Sequence, residues 1–194
     1  MRKYLIGAIA LAVLALGSAA LAAPGSGNRL YCFSGTEDGG YNGTCTLTAG
    51  GAVLDTTDDN DNPNDNYAGV YVGNSKLEGR LIGDVDKLAF SYTGSPVVGG
   101  SPRLSIPIDQ NGDGTTEAYA FVDAVGCNDG ARTVSIGNAS CLVSYGAITY
   151  ANWAAFVAAN PTYRIASDAL TFIIADQPGD FVLTDVELRQ KPGK

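Results

Sequence analysis

The chain has 194 residues, 20 acidic against 12 basic, four cysteines and no histidine. A net charge of −8 repels nucleic acid and anionic membrane surfaces, so neither is an expected partner. Without histidine there is no Ser-His-Asp or Cys-His catalytic machinery, and no zinc site of the usual mixed type.

Residues 1–22 read as an export signal. Arg2 and Lys3 supply the positive start, Leu5 to Leu16 is an almost unbroken apolar run, and Ala20-Leu21-Ala22 gives the small-x-small cleavage pattern. The run falls short of the roughly 20 apolar residues of a membrane span. A secreted protein is therefore expected, with no transmembrane anchor after cleavage. Residues 23–29, which include Pro24-Gly25-Ser26-Gly27, form a flexible lead-in, 30–190 a single domain, and 191–194 a polar tail. Loss of Arg2 and Lys3 makes the mature chain still more acidic. That acidity attracts hard cations, and it also serves simply to keep an exported chain soluble.

All four cysteines, Cys32, Cys45, Cys127 and Cys141, follow the signal, and an even number in an exported chain reads as disulfides. Three connectivities are possible. The sequence-local one, Cys32–Cys45 and Cys127–Cys141, closes short loops of 13 and 14 residues and suits stapled hairpins. Each bridge of that size is worth roughly 3 kcal/mol in the chain-entropy model.

Short strand-like runs separated by Gly, Asn, Asp and Pro fill the rest. Further runs lie at Tyr67–Val72, Ala118–Asp123, Arg132–Ile136, Ser140–Tyr145 and Tyr163–Ala166. Leu88, Phe90 and Tyr92 alternate with Ala89, Ser91 and Thr93, and Leu104, Ile106 and Ile108 with Arg103, Ser105 and Pro107. A period of two with one apolar face predicts a sheet half covered by core. Pro107 lacks a ladder N–H, which predicts a bulge or an edge at that point. Leu170–Ala175 is apolar on both faces and reads as a central strand, and Phe181–Leu188 closes the domain. Asn152 to Asn160 breaks the rhythm: Trp153, Phe156 and Val157 fall at helical spacing before Pro161, predicting one short helix that caps an end of the fold with Trp153 in the core. The fold class expected is all-β, an antiparallel β-sandwich of the jelly-roll kind. Asp55 to Asn66, with five Asp and four Asn, reads as a solvated loop.

The most specific local signal is Asp109-Gln110-Asn111-Gly112-Asp113-Gly114. Oxygens at positions 1, 3 and 5 converge on one cation, and Gly at position 6 permits the sharp turn, as in calcium loops. Asp109, Asn111, Asp113, the Thr115 carbonyl and Glu117 are the candidate Ca2+ ligands. Position 12 of an EF-hand would be a bidentate Glu and here is Ala120, so a ligand from elsewhere, Asp123 or the Asp-rich loop, must complete the shell. The same residues also suit an Asx-rich hairpin turn without metal. Glycosidase chemistry needs a facing carboxylate pair. The alternating acids Asp185 with Glu187 and Asp84 with Asp86 read as the wet side of their strands. No catalytic residue is assigned.

The LAFSYTG-like strand, GSPRLSIPID leading into NGDG, and the closing FVLTDVEL together resemble secreted bacterial jelly-roll domains of the carbohydrate-binding-module, or galactose-binding-like, type. The resemblance spans about Leu88 to Leu188. It implies a structural calcium, for which only the Asp109–Asp113 positions carry over, and a ligand face set by aromatics, for which Tyr67, Tyr71, Tyr119 and Tyr145 are the residues to test. The first reading is a non-catalytic module binding an extracellular polysaccharide. The second is a cell-envelope or matrix protein binding itself or another surface protein, and the third a polysaccharide lyase or glycosidase.

Overall fold

The computed structural model describes residues 21–22, 29–36, 43–57, 66–73, 76–127 and 130–192. The expected signal as far as residue 20, most of the lead-in and the Asp-rich stretch 58–65 lie outside the described residues. Strands run in the order β1 (Leu21–Ala22), β2 (Arg29–Thr36), β3 (Thr44–Thr48), β4 (Gly51–Asp55), β5 (Asn66–Gly73), β6 (Val85–Ser95), β7 (Arg103–Asp109), β8 (Ala118–Asp123), β9 (Thr133–Ser135), β10 (Val143–Tyr145) and β11 (Ile148–Tyr150). Helix α1 (Trp153–Ala159) follows, then β12 (Arg164–Ile165), β13 (Thr171–Ala175) and β14 (Asp180–Gln190).

The strands form two antiparallel sheets. The large sheet has the order β1-β2-β5-β13-β7-β8-β10-β11, with β12 also paired to β7, and the small sheet has the order β3-β4-β14-β6-β9. Four pairings generate the architecture: β4 with β14, β5 with β13, β6 with β9, and β7 with β8. Successive pairs lie in alternate sheets, so the chain coils around one interior, as a jelly roll does. The last two long strands close it, β13 between β5 and β7, and β14 between β4 and β6.

The two-residue alternation sets which side chains fill that interior. Leu88 and Phe90 from the small sheet and Leu104, Ile106 and Ile108 from the large one are fully buried. Each such side chain contributes roughly 1.5–3 kcal/mol of transfer free energy. Leu170–Ala175 behaves as expected, since β13 has a partner on either side.

Pro107 needs neither a bulge nor an edge. On one side of β7 it keeps unbroken register with Tyr119 of β8. On the other, β13 pairs only as far as Ser105 and β12 begins at Ile108, so the missing N–H falls in the gap between two partners. Helix α1 forms as predicted: the Asn152 side chain accepts from the Ala155 N–H at 2.9 Å, and Asn160 ends the helix before Pro161. Trp153 is buried, 6% exposed, with its ring 5.2 Å from Phe156.

Both expected disulfides are present, but they do not staple hairpins. Cys32 lies in β2 of the large sheet and Cys45 in β3 of the small one, so the first bridge clasps the two layers at one side of the sandwich. Cys127–Cys141 brings the end of β8 to the segment before β10 and closes the excursion that sends β9 into the opposite sheet. Among the described residues no helix is long and apolar enough to cross a membrane. Two disulfides fit an extracellular or secreted protein.

Replacing Cys32 and Cys45 together by serine should lower the urea unfolding free energy by about 3 kcal/mol. If the clasp bears no load between the layers, the double variant will unfold at the wild-type midpoint.

Candidate functional site

The large sheet is apolar on both faces, and its two faces differ in kind. Leu30, Ala68, Val70, Val72, Ala120, Val122 and Ile173 point into the core. The intervening residues, which point away from it, are largely aromatic: Tyr31 and Phe33 on β2, Tyr67 and Tyr71 on β5, Phe172 on β13, and Tyr119 and Phe121 on β8. Cross-strand register aligns them, with Tyr31 opposite Tyr71, Tyr71 opposite Phe172, Phe172 opposite Ser105 and Ser105 opposite Phe121.

The rings touch in an unbroken series. Tyr67 lies 6.3 Å from Phe33, Phe33 4.4 Å from Tyr71, Tyr71 5.8 Å from Phe172, Phe172 5.4 Å from Tyr119, and Tyr119 6.4 Å from Phe121. Edge-to-face and offset contacts at such spacings each add about 0.5–1.5 kcal/mol beyond area burial. From β2 to β8 the face crosses four strand spacings, about 19 Å at the usual interstrand distance. Gly69 makes room for it: a Cβ there would stand 2.4 Å from the Phe33 ring, so the ring lies over bare backbone. All seven rings remain partly exposed.

The end of the face at Arg103 carries charge that is already neutralised. Arg103 donates to both oxygens of Asp176, at 2.6 and 2.5 Å, and its guanidinium sits 5.3 Å over the Phe121 ring. Ser101 also donates to Asp176 at 2.7 Å, and the Asp123 carboxylate accepts the Gly126 N–H at 2.6 Å. Burial pushes the Tyr71 phenol above its ordinary range, with Tyr119 and Tyr67 adding to the effect. The Tyr119 phenol is raised first by burial and then by Asp168. Both therefore stay protonated, as donors, across neutral pH.

Of the four aromatics singled out from sequence, Tyr67, Tyr71 and Tyr119 meet on this face. Tyr145 does not. It is 8% exposed, packs against Phe156 and Tyr163 near α1, and hydrogen-bonds to Gln110. Tyr31, Phe33, Phe121 and Phe172 complete the face and were missed by sequence reasoning. Their signal was the segregation itself, small aliphatics at one parity of the strand and rings at the other.

The hairpin loop between β7 and β8 brings its acids together. One carboxylate oxygen each from Asp109, Asp113 and Glu117 lie within 4.8 Å of one another, a set that could hold a metal ion. Asp109 is 1% exposed and folds the loop, accepting N–H groups from Asn111 at 3.1 Å, Gly112 at 2.6 Å and Gly114 at 2.9 Å. Asn111 accepts from the Asp113 N–H, Asp113 from the Thr115 N–H, and Glu117 from the Gln110 N–H. The Thr115 N–H holds the Asp113 carboxyl below its usual range, assisted by the Thr115 and Asn111 side chains. Gly114, at position 6, has φ +89°, as the sharp turn requires.

Asp123 does not complete this shell. It pairs with Arg103 at the opposite end of β7, about 20 Å along the strand. Asp168 comes to the loop instead: it accepts from the Thr116 hydroxyl at 2.6 Å, and Ser167 and Asp168 both donate backbone N–H groups to the Gly114 carbonyl. Glu117 stands two residues before Tyr119, so the loop and the ring face share the start of β8.

No family model matches the chain, and neither a curated protein nor a solved structure matches it.

Asp109→Ala strands three loop N–H groups and should destabilise the protein by about 2–4 kcal/mol even with chelator present. Thermal unfolding in EDTA checks this, and an unchanged midpoint would show that Asp109 does not fold the loop.

Proposed function

We propose that this is a non-catalytic extracellular binding domain that holds a neutral polysaccharide against the outer face of the large sheet. The observation that carries the reading is the unbroken series of partly exposed rings across β2, β5, β13 and β8. Sugar rings present apolar C–H faces between their hydroxyls, and flat aromatic groups with phenolic edges suit both. A face of about four strand spacings accommodates several consecutive sugars. Its neutral charge state favours an uncharged ligand, because Arg103 is committed to Asp176 and an acidic chain repels anionic glycans. Asp176 and Asp123, at the Arg103 end of the face, are each held by donors rather than aimed at a ligand.

Calcium at Asp109, Asp113 and Glu117 is the second part of the reading. Three carboxylates suit a hard cation, and Asn111, the Thr115 carbonyl and Asp168 are the further oxygens within the loop and its docking turn. Bound there, the ion stiffens the start of β8 and so the seat of Tyr119.

Affinity electrophoresis through gels of uncharged polysaccharides (β-glucan, xylan, mannan) tests the first part. Wild-type protein is retarded in at least one gel, and Phe172→Ala or Tyr71→Ala weakens retention roughly tenfold or more. Val182→Ala, on the exposed face of the small sheet, leaves it unchanged. Retention stays flat between pH 5 and 9, because the Tyr71 and Tyr119 phenols titrate above their ordinary range. No retardation anywhere, together with concentration-dependent assembly, would replace this reading with a self-associating matrix protein.

For the metal, saturating calcium should raise the unfolding free energy by about 2.7 kcal/mol at a hundredfold excess over Kd. Glu117→Gln should abolish most of that rise. A calorimetric titration with no heat and no change in unfolding midpoint removes calcium from the account.

A further inference from the structure

We infer that Ser105 is the polar anchor of the ring face, and that a hydroxyl of the bound polymer takes up its hydrogen bond when the rings above it part. The inference rests on the polysaccharide reading and names the residue that would fix the ligand's position along the face.

Ser105 lies midway along β7, between Leu104 and Ile106, both of which point into the core. Its side chain therefore faces outward, flanked across the strands by Phe172 on one side and Phe121 on the other. It is 0% exposed, and its hydroxyl has no hydrogen-bond partner. A buried hydroxyl left unpaired costs stability, whereas an alanine of the same shape would not. Proteins retain few such groups, and each requires a reason.

The surroundings narrow the reason. Phe172 and Tyr119 meet edge to face at 5.4 Å, and because they stand on the strands either side of β7 their contact spans it. The Arg103 guanidinium, two residues away, is occupied by Asp176 and by the Phe121 ring. Pro107, two residues the other way, offers no side-chain donor or acceptor. The Ser105 hydroxyl thus makes no hydrogen bond to any of the groups around it. Phe172 and Tyr119 are only partly buried, and they stand outside the core between the sheets, so displacing either ring leaves that core intact. A ligand that stacks on either ring can displace it and reach the hydroxyl.

The chemistry of the hook selects its partner. A serine hydroxyl both donates and accepts, which matches an alcohol. A carboxylate or sulfate placed there would be desolvated with no cation free to pair it. The ligand group is therefore a hydroxyl or hydroxymethyl of an uncharged sugar.

The test compares Ser105→Ala with wild type and with Phe172→Ala, using the same uncharged-polysaccharide gels together with thermal unfolding. If Ser105 is the anchor, S105A melts at or above the wild-type temperature, because the unpaired hydroxyl is gone, and binds about fivefold more weakly. A purely structural serine predicts the reverse pattern: S105A melts lower, or binds as wild type does. Either result overturns the inference. Loss of binding in F172A with full binding in S105A leaves the ring face standing and removes only the anchor. Failure of the wild type to bind any gel removes both.

Discussion

The structure depends on burial between two sheets that the chain itself interleaves. β13 and β14, the last long strands, occupy central positions in the two layers, so neither layer is complete until the C-terminal part of the domain has been inserted. Burial of Phe90, Phe156, Phe181 and the leucines and isoleucines around them is the favourable term that drives this closure. The two disulfides add covalent ties to this packing. One clasps β2 to β3 beyond the nested pairs, and the other closes the path that carries β9 across.

Once the inner faces are filled, the outer faces are free to differ. On the small sheet, Ser91, Thr93 and Thr184 face outward together with the exposed aliphatic side chains of Val53 and Val182, a surface without rings. The corresponding positions of the large sheet are mostly aromatic, and the proposed binding rests on that contiguous apolar surface. The same fold therefore presents one aliphatic and polar face and one aromatic face. The acidic hairpin lies at the border of the aromatic one, through its connection to the start of β8.

Much of this was legible in the sequence where the signal is local. The alternations around Leu88 and Leu104, the capped helix from Trp153 and the central strand at Leu170–Ala175 all follow from spacing and turn chemistry, and the observed cysteine pairing is the sequence-local one of the three possible. The turn geometry of Asp109–Gly114 is equally local. What was not legible depends on register. Whether a tyrosine faces core or solvent is decided by its neighbouring strands, so Tyr145 was grouped with Tyr67, Tyr71 and Tyr119 although it lies beneath α1. Asp123 was offered to the cation loop because it is near in sequence, yet an extended strand carries it to the far end of β7. Strands β3 and β4 carry Thr and Gly in place of a bold apolar alternation, and only the pairing of β3 with β4 and of β4 with β14 defines them. The cysteine spacing gave no sign that Cys32 and Cys45 stand in opposite sheets.

The central claim is that the aromatic face of the large sheet is the surface that meets a ligand. Side-chain proton NMR, reading aromatic rings and methyl groups during titration with soluble oligosaccharides from a polysaccharide that retards the protein, tests it most directly. The account predicts that the Tyr71, Phe172 and Tyr119 ring signals shift together, while the Val182 and Thr93 signals on the opposite sheet stay in place. Shifts confined to the small sheet, or to Tyr145 and Phe156 around the helix, would contradict it.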